Sequence, residues 1–289
     1  MIFDARICAL GEGPLWHPGR GELFWFDITG RRMLSRRPDG ATTERALPEM
    51  TSAAAVIDDA TLMVATETGI ARLGIESGAM TRLVALEADN AVTRSNDGRA
   101  DPAGGFWVGT MGREAEPGAG AIYRFHRGEL RRIMAGVSIP NATCFSPDGR
   151  RAYVADSARG QIWALALDAE GWPVSAPEVF ADLSAESFAP DGAVTDAAGA
   201  LHVACWGKGQ VLSIDPAGHP VARTPLPAPH LTCPAFGGPA LDTLYVTSAT
   251  QGLSPDEIAR APASGATFAL PGFGRGRPEP IIRIDEPAS

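Results

Sequence analysis

Glu12, Asn96, Asn141 and Asp191 occupy one equivalent point in a repeating pattern, 12 or 13 residues ahead of the apolar anchors Trp25, Val108, Val154 and Val203. Val64 and Val246 complete the anchor series, and the positions ahead of them hold Thr51 or Ser52 and Cys233. Four of these six positions carry a carboxylate or a carboxamide. Glu12, Asn141 and Asp191 together offer two negative charges and one neutral carbonyl oxygen. An all-oxygen set of this kind suits a hard divalent cation such as Ca²⁺, Mg²⁺ or Mn²⁺ and leaves positions for water. No histidine or cysteine clearly joins it, which argues against a tetrahedral structural zinc site. A single Asn or Asp at such a point would read as a turn cap, but four at one offset read as a site.

A second group lies close by in sequence. Arg94-Ser95-Asn96-Asp97-Gly98 places a guanidinium beside an amide, and the fork of donors on Arg94 can hold hydroxyl or carbonyl oxygens of a polar ligand. Asp97 reads as a residue that orients this loop rather than one that binds. Glu116 falls in the excursion 112–120, which is long enough to fold over a site as a lid, although taken alone it reads as a solvated loop charge. The five histidines are scattered over turns and strands and read as packing or surface residues; His230, just before the sixth inner strand, fits that reading least well. Nucleophile-elbow, zinc-protease, P-loop and dinucleotide fingerprints are all absent. Asn141-Ala142-Thr143 matches a glycosylation sequon that its inner-strand position makes accidental.

Successive anchors are separated by about 39, 44, 46, 49 and 43 residues, a period typical of propeller blades. Within each unit, short apolar strands alternate with Gly/Pro/Asp turns such as Asp101-Pro102-Ala103-Gly104, Ser146-Pro147-Asp148-Gly149 and Asp196-Ala197-Ala198-Gly199. Almost no segment has a helical period. The expectation is an all-β chain, a six-bladed β-propeller of mainly four-stranded blades forming one domain over 1–289. Residues 2–9 are expected to close the ring against the last blade, and 281–284 to form a final strand. The inner strand of each blade begins near one mouth of the channel, so the residues at the shared offset should converge there.

Composition sets the class. Hydrophobic residues make up 45% of the chain and charged residues 20%, as in a soluble globular protein with a substantial core. A net charge of -9 with no basic run argues against a general nucleic-acid binder. Arg31, Arg32, Arg36 and Arg37 read as a solvated strand edge guarded against pairing. No stretch approaches the roughly 18 apolar residues of a membrane span, and the first residues lack the basic and apolar regions of a signal peptide. Cys8, Cys144, Cys205 and Cys233 show no paired spacing and read as reduced, buried thiols. A cytoplasmic protein, monomeric or weakly dimeric, without nucleic-acid or membrane partners, is expected.

With these positions in place, the chain resembles the regucalcin, gluconolactonase and luciferin-regenerating-enzyme family, and most of all its bacterial sugar lactonases. The matching segments are Gly11-Glu12-Gly13-Pro14-Leu15-Trp16, Arg94-Ser95-Asn96-Asp97-Gly98, Asp101-Pro102-Ala103-Gly104, Trp107-Val108-Gly109-Thr110-Met111, Pro190-Asp191-Gly192 and Phe236-Gly237-Gly238. They span nearly the whole chain in order. The resemblance implies one divalent metal held by Glu12, Asn141 and Asp191, with calcium, zinc, manganese and iron(II) all represented among relatives. It implies substrate contacts from Arg94 and Asn96, and from Glu116 as a lid residue. One departure is Asn141-Ala142, where many relatives carry Asn-Gly.

The implied reaction is hydrolysis of an aldonolactone of the glucono-, xylono- or arabinono- type. The metal would act as Lewis acid on the lactone carbonyl and Asp191 as general base toward the attacking water. A direct nucleophilic role for Asp191 is the mechanistic alternative. Two other functions compete. One is a same-fold hydrolase of organophosphates or other esters; the other is a non-catalytic calcium-binding propeller, against which Arg94 and Asn96 count because a structural ion needs no substrate clamp.

Overall fold

The computed structural model describes residues 1–282 and 284. Six four-stranded antiparallel sheets are arranged as the blades of a six-bladed β-propeller. Blade 1 contains Gly11–His17, Glu22–Asp27, Arg32–Arg36 and Thr42–Ala46; blade 2 contains Thr51–Asp58, Thr61–Thr66, Gly69–Gly74 and Met80–Ala85. Blade 3 follows with Thr93–Ala100, Phe106–Gly112, Gly120–His126 and Glu129–Val137, and blade 4 with Pro140–Phe145, Arg151–Asp156, Gln161–Ala166 and Glu178–Asp182. Ala189–Thr195, Leu201–Trp206, Gln210–Ile214 and Pro220–Pro225 form blade 5. Blade 6 takes Leu231–Gly237, Thr243–Ser248 and Thr267–Leu270, and its fourth strand is Ile2–Asp4 from the other end of the chain. The ring therefore closes by N-terminal pairing with the last blade, as expected from residues 2–9.

The periodic anchors are the residues that hold the blades together. Trp25, Val64, Val108, Val154, Val203 and Val246 all lie in second strands, and each is fully buried. Apolar side chains pack at every junction between neighbouring blades: Phe24 and Val56 at blades 1 and 2, Trp107 and Trp163 at blades 3 and 4, Tyr153 and Leu201 at blades 4 and 5. Blades 6 and 1 join through Tyr245, Trp16 and Trp25, with the Trp16 and Tyr245 rings stacked 6.0 Å apart. The turns form where glycine was expected to permit them, with Gly104, Gly149 and Gly199 each at positive φ and donating to the carbonyl three residues back. Asp101 in the first of these turns is structural: its carboxylate accepts from Trp107 Nε1 and Arg124 Nε as well as from the backbone of Gly105.

One expectation changes. None of the described residues among 281–284 belongs to a strand of a blade. Ile281 makes one isolated bridge with Val56, the Ile282 amide donates to the Val56 carbonyl at 2.8 Å, and Arg283 lies outside the described residues. The preceding segment runs as a strap across the lower mouth of the channel instead. The all-β expectation holds with one short helix, Pro255–Arg260, in the loop before the last strand; Ser254 and Glu257 supply a capping box, and Pro255 stands in the first turn. At six residues it was too short to show a period.

The feature that positions the site is a break in register repeated in all six inner strands. Pairing shifts between Glu12 and Leu15, Thr51 and Ala53, Ser95 and Gly98, Asn141 and Cys144, Pro190 and Ala193, and Leu231 and Pro234. Such a bulge bends the strand and re-aims a side chain that regular pleating would direct toward a neighbouring blade. The column of donor residues read from the sequence is this column of bulges.

Candidate active site

The bulges place Glu12 from blade 1, Arg94 and Asn96 from blade 3, Asn141 from blade 4 and Asp191 from blade 5 around one cavity of about 220 Å³. All five side chains are buried. Two bulges need a left-handed residue. Gly13 at blade 1 has φ near +57°, and a Cβ there would meet the Ser52 carbonyl oxygen at 2.4 Å. Its counterpart at blade 4 is Ala142 with φ near +55°, so this chain tolerates a strained backbone beside Asn141. This is the structural content of the Asn-Ala departure.

A hydrogen-bonded chain fixes the polar half of the site. Arg94 Nη1 donates to the Ser95 carbonyl at 2.8 Å and to Asn96 Oδ1 at 2.9 Å. Asn96 Nδ2 donates onward to the Pro140 carbonyl at 3.0 Å and to Asn141 Oδ1 at 3.1 Å. Asn141 Nδ2 donates to Ser157 Oγ at 2.8 Å, and that hydroxyl donates to the Pro190 carbonyl at 2.6 Å. Blades 3, 4 and 5 are thus joined through their site residues. Asp97 does orient rather than line the cavity: its Oδ2 accepts from the Thr143 amide at 2.7 Å, pinning the blade 4 bulge.

The charges are unbalanced. Burial pushes the Glu12 carboxyl up to about 8, and the Asp97 charge adds to the effect. Burial again leads in raising Asp191 well above the carboxylate range, followed by repulsion from Glu12 and Asp97. Arg94 lines the cavity with them, yet its own burial lowers it to about 10. A cation bound between two buried carboxylates would offset the repulsion and lost hydration that raise them. Among the described residues no group of three or more His, Cys, Asp or Glu side chains comes together to hold a metal. The Asn141 amide oxygen could serve as a third donor beside Glu12 and Asp191, a set that fits a hard cation served by oxygen and open to further ligands.

Other expected residues fall elsewhere. Glu116 is outside the cavity lining; its carboxylate accepts from the Glu114 amide at 3.1 Å within its own loop, which contributes Ala115 to the wall instead. Ser52 donates to Ser95 at 2.8 Å, and Cys233 packs against Gly192 beneath the site. All four cysteines are free and buried. Sequence reading missed Ser157, Trp206 and Gln251, which line the cavity from outside the inner strands. None stands at the shared offset, and only the fold brings them to it.

A six-bladed propeller with an oxygen-lined, carboxylate-bearing mouth defines the class of protein. The chain belongs to the SMP-30/Gluconolactonase/LRE-like family, whose model matches residues 10–250. It is 36% identical to the L-arabinolactonase of Azospirillum brasilense, covering 93% of this chain and 90% of that one. Against the pentonolactonase of Haloferax volcanii it is 35% identical over 94% of each. A crystal structure of a calcium-binding protein, regucalcin, from Agrobacterium tumefaciens str. C58 superposes with a TM-score of 0.96 at 40% identity, covering 98% of this chain and 97% of that one.

Proposed function

We propose that the protein is a sugar lactonase, a hydrolase of the cyclic ester of an aldonolactone, acting in the cavity between Glu12, Arg94, Asn96, Asn141 and Asp191. The observation that carries the reading is the convergence of those five buried side chains from four blades on one cavity. The named activities of the two lactonase relatives, which match over nearly their whole lengths, support the choice of substrate class.

Glu12, Asn141 and Asp191 would hold one divalent cation, which when bound supplies Lewis-acid polarisation of the lactone carbonyl. The rest falls to the chain's own side chains. Asp191, whose carboxylate lines the cavity, accepts the proton of the attacking water. Arg94 and Asn96 orient the sugar hydroxyls, and the Asn96–Asn141–Ser157 chain keeps both amides facing the substrate. Ring opening leaves a carboxylate and a free hydroxyl, and Arg94 is the cation beside the new charge. Glu116 reaches a bound lactone only if its loop turns its carboxylate away from the Glu114 amide.

The test is a panel of glucono-, xylono-, arabinono- and galactonolactone assayed with several divalent ions, against a phosphotriester and a simple aryl ester. Expected is lactone hydrolysis abolished by chelation and restored by a divalent ion, with Asp191→Ala folded and at least about 1000-fold slower. Full activity in Asp191→Ala, or preference for the phosphotriester, would overturn it.

A further inference from the structure

Trp206 is the one tryptophan at the cavity, and it is half-buried, whereas Trp25 and Trp107 are spent wholly on the interblade core. It ends the strand Leu201–Trp206 and pairs across the ladder with Ala189, two residues before Asp191. Its indole lies nearly parallel to the His230 imidazole, with centroids 4.0 Å apart and planes 14° from parallel. The two residues are also joined by an isolated backbone bridge. His230 Nδ1 donates to the Gln251 carbonyl at 2.9 Å, which locks the imidazole in turn. One face of the indole is therefore covered and its plane is fixed. Gln251 and Leu10 continue the same wall of the cavity, while Arg94 and Asn96 come from blade 3.

We propose that Trp206, held flat by His230, is the specificity-determining residue that selects the closed sugar ring over the open-chain acid. This deepens the lactonase reading and rests on it. A sugar lactone is amphipathic: its hydroxyls project from the rim and its C–H groups form an apolar face. The guanidinium and amide of blade 3 serve the rim, and a fixed aromatic plane serves the face. The cavity of about 220 Å³ equals about seven waters at ~30 Å³ each, room for one monosaccharide ring. Hydrolysis breaks the C–O ester bond, adds water across it and turns the compact ring into a flexible chain ending in a carboxylate. That chain has no flat face to lay on the indole. Stacking thus favours substrate without favouring product, and His230 is a positioning residue that acts through Trp206.

The experiment compares Trp206→Ala, Trp206→Phe and His230→Ala with the wild type, measuring KM and kcat for the best lactone and the inhibition constant of its aldonate. Cation-dependent thermal shifts report folding of each variant. Expected is a KM about tenfold higher in Trp206→Ala, kcat within about threefold, and an aldonate constant within about twofold. Trp206→Phe recovers most of the affinity, and His230→Ala shows a smaller rise in KM alone. Unchanged KM in Trp206→Ala, or KM and the aldonate constant rising together, overturns the inference. If Trp206→Ala does not fold, an unchanged KM in both other variants overturns it. Absence of turnover by the wild type with every cation overturns the lactonase reading as well; turnover with an unaltered KM in the variants overturns this inference alone.

Discussion

Ser157 has no charge and no place in the repeat, yet it decides which way Asn141 faces. Its hydroxyl accepts from Asn141 Nδ2 and donates to the Pro190 carbonyl, leaving Asn141 Oδ1 on the side of Asn96 and the cavity. Ser157→Ala should lower divalent-cation affinity by about tenfold with the fold intact, checked by calorimetric titration. Glu12 makes a second prediction, for the metal-free protein. Its folded carboxyl sits near 8 against an ordinary 4.5, chiefly because it is buried. Between those values the folded chain keeps a proton that the unfolded chain releases, so stability falls as pH rises from about 4.5 through about 8. Thermal unfolding in chelator should show that decline, and Glu12→Gln should flatten it. Adding a divalent cation should raise the melting temperature more at pH 8 than at pH 5, because at low pH the cation must displace protons. A metal-free protein that grows more stable across that window would contradict the assignment of these carboxylates.

At the level of the strand, the inner-strand bulge is the working unit, and its backbone differs among blades. Gly13 and Ala142 occupy corresponding left-handed positions, one without a side chain and one with a methyl buried among Cys144, Tyr153 and Ala193. Gly13→Ala should destabilise by about 2 kcal/mol or more, since its methyl would press on the Ser52 carbonyl as well as strain φ. Ala142→Gly should be close to neutral: relief of about 1–2 kcal/mol of left-handed strain is set against about 0.8 kcal/mol for the lost buried methyl and the added freedom of the unfolded chain. Urea unfolding of the two variants separates these effects. Much of this element was legible beforehand, because donor residue, turn and anchor recur at nearly fixed spacing, although the bulge itself left no mark in the sequence. What spacing could not convey was Trp206 or Gln251, which reach the cavity from a strand end and a loop, and Glu116, whose loop conformation turns its carboxylate back on its own backbone.

Across the whole molecule, one end of the channel carries the cavity and the other is crossed by the strap 275–282. Gly276 donates to Leu241 in the loop that joins strands of blade 6, Ala197 of blade 5 donates to Arg275, and Arg277 reaches the Pro147 and Phe145 carbonyls of blade 4. Glu279 pairs with Arg99 of blade 3, and Ile282 ends on blade 2. Five blades are thereby tied across the lower mouth. Arg99 is buried on the channel axis, donating also to the Pro234 carbonyl at 3.2 Å. Removing its partner by Glu279→Ala leaves Arg99 with the Asp97 charge and the Ala193 and Pro234 carbonyls and should cost about 1.5–3 kcal/mol, read by denaturant unfolding. Lactone turnover at saturating substrate should survive at temperatures where the variant is folded, since the strap does not border the cavity.

The amino-acid sequence by itself determined the number of blades, their short antiparallel strands, the closing role of the N-terminus and the shared position of Glu12, Asn96, Asn141 and Asp191. All of these follow from local periodicity, which a chain carries wherever it folds. Tertiary structure alone decided that Ser157 and Trp206 border the same cavity as those donors, that His230 stacks on the indole, and that residues 275–282 strap the channel rather than extend a blade. Those outcomes depend on contacts between residues far apart in the chain, set by how the ring closes and where each loop comes to rest. Burial completed the chemistry: two carboxylates that spacing had singled out acquired their high proton affinity only when six blades removed them from water.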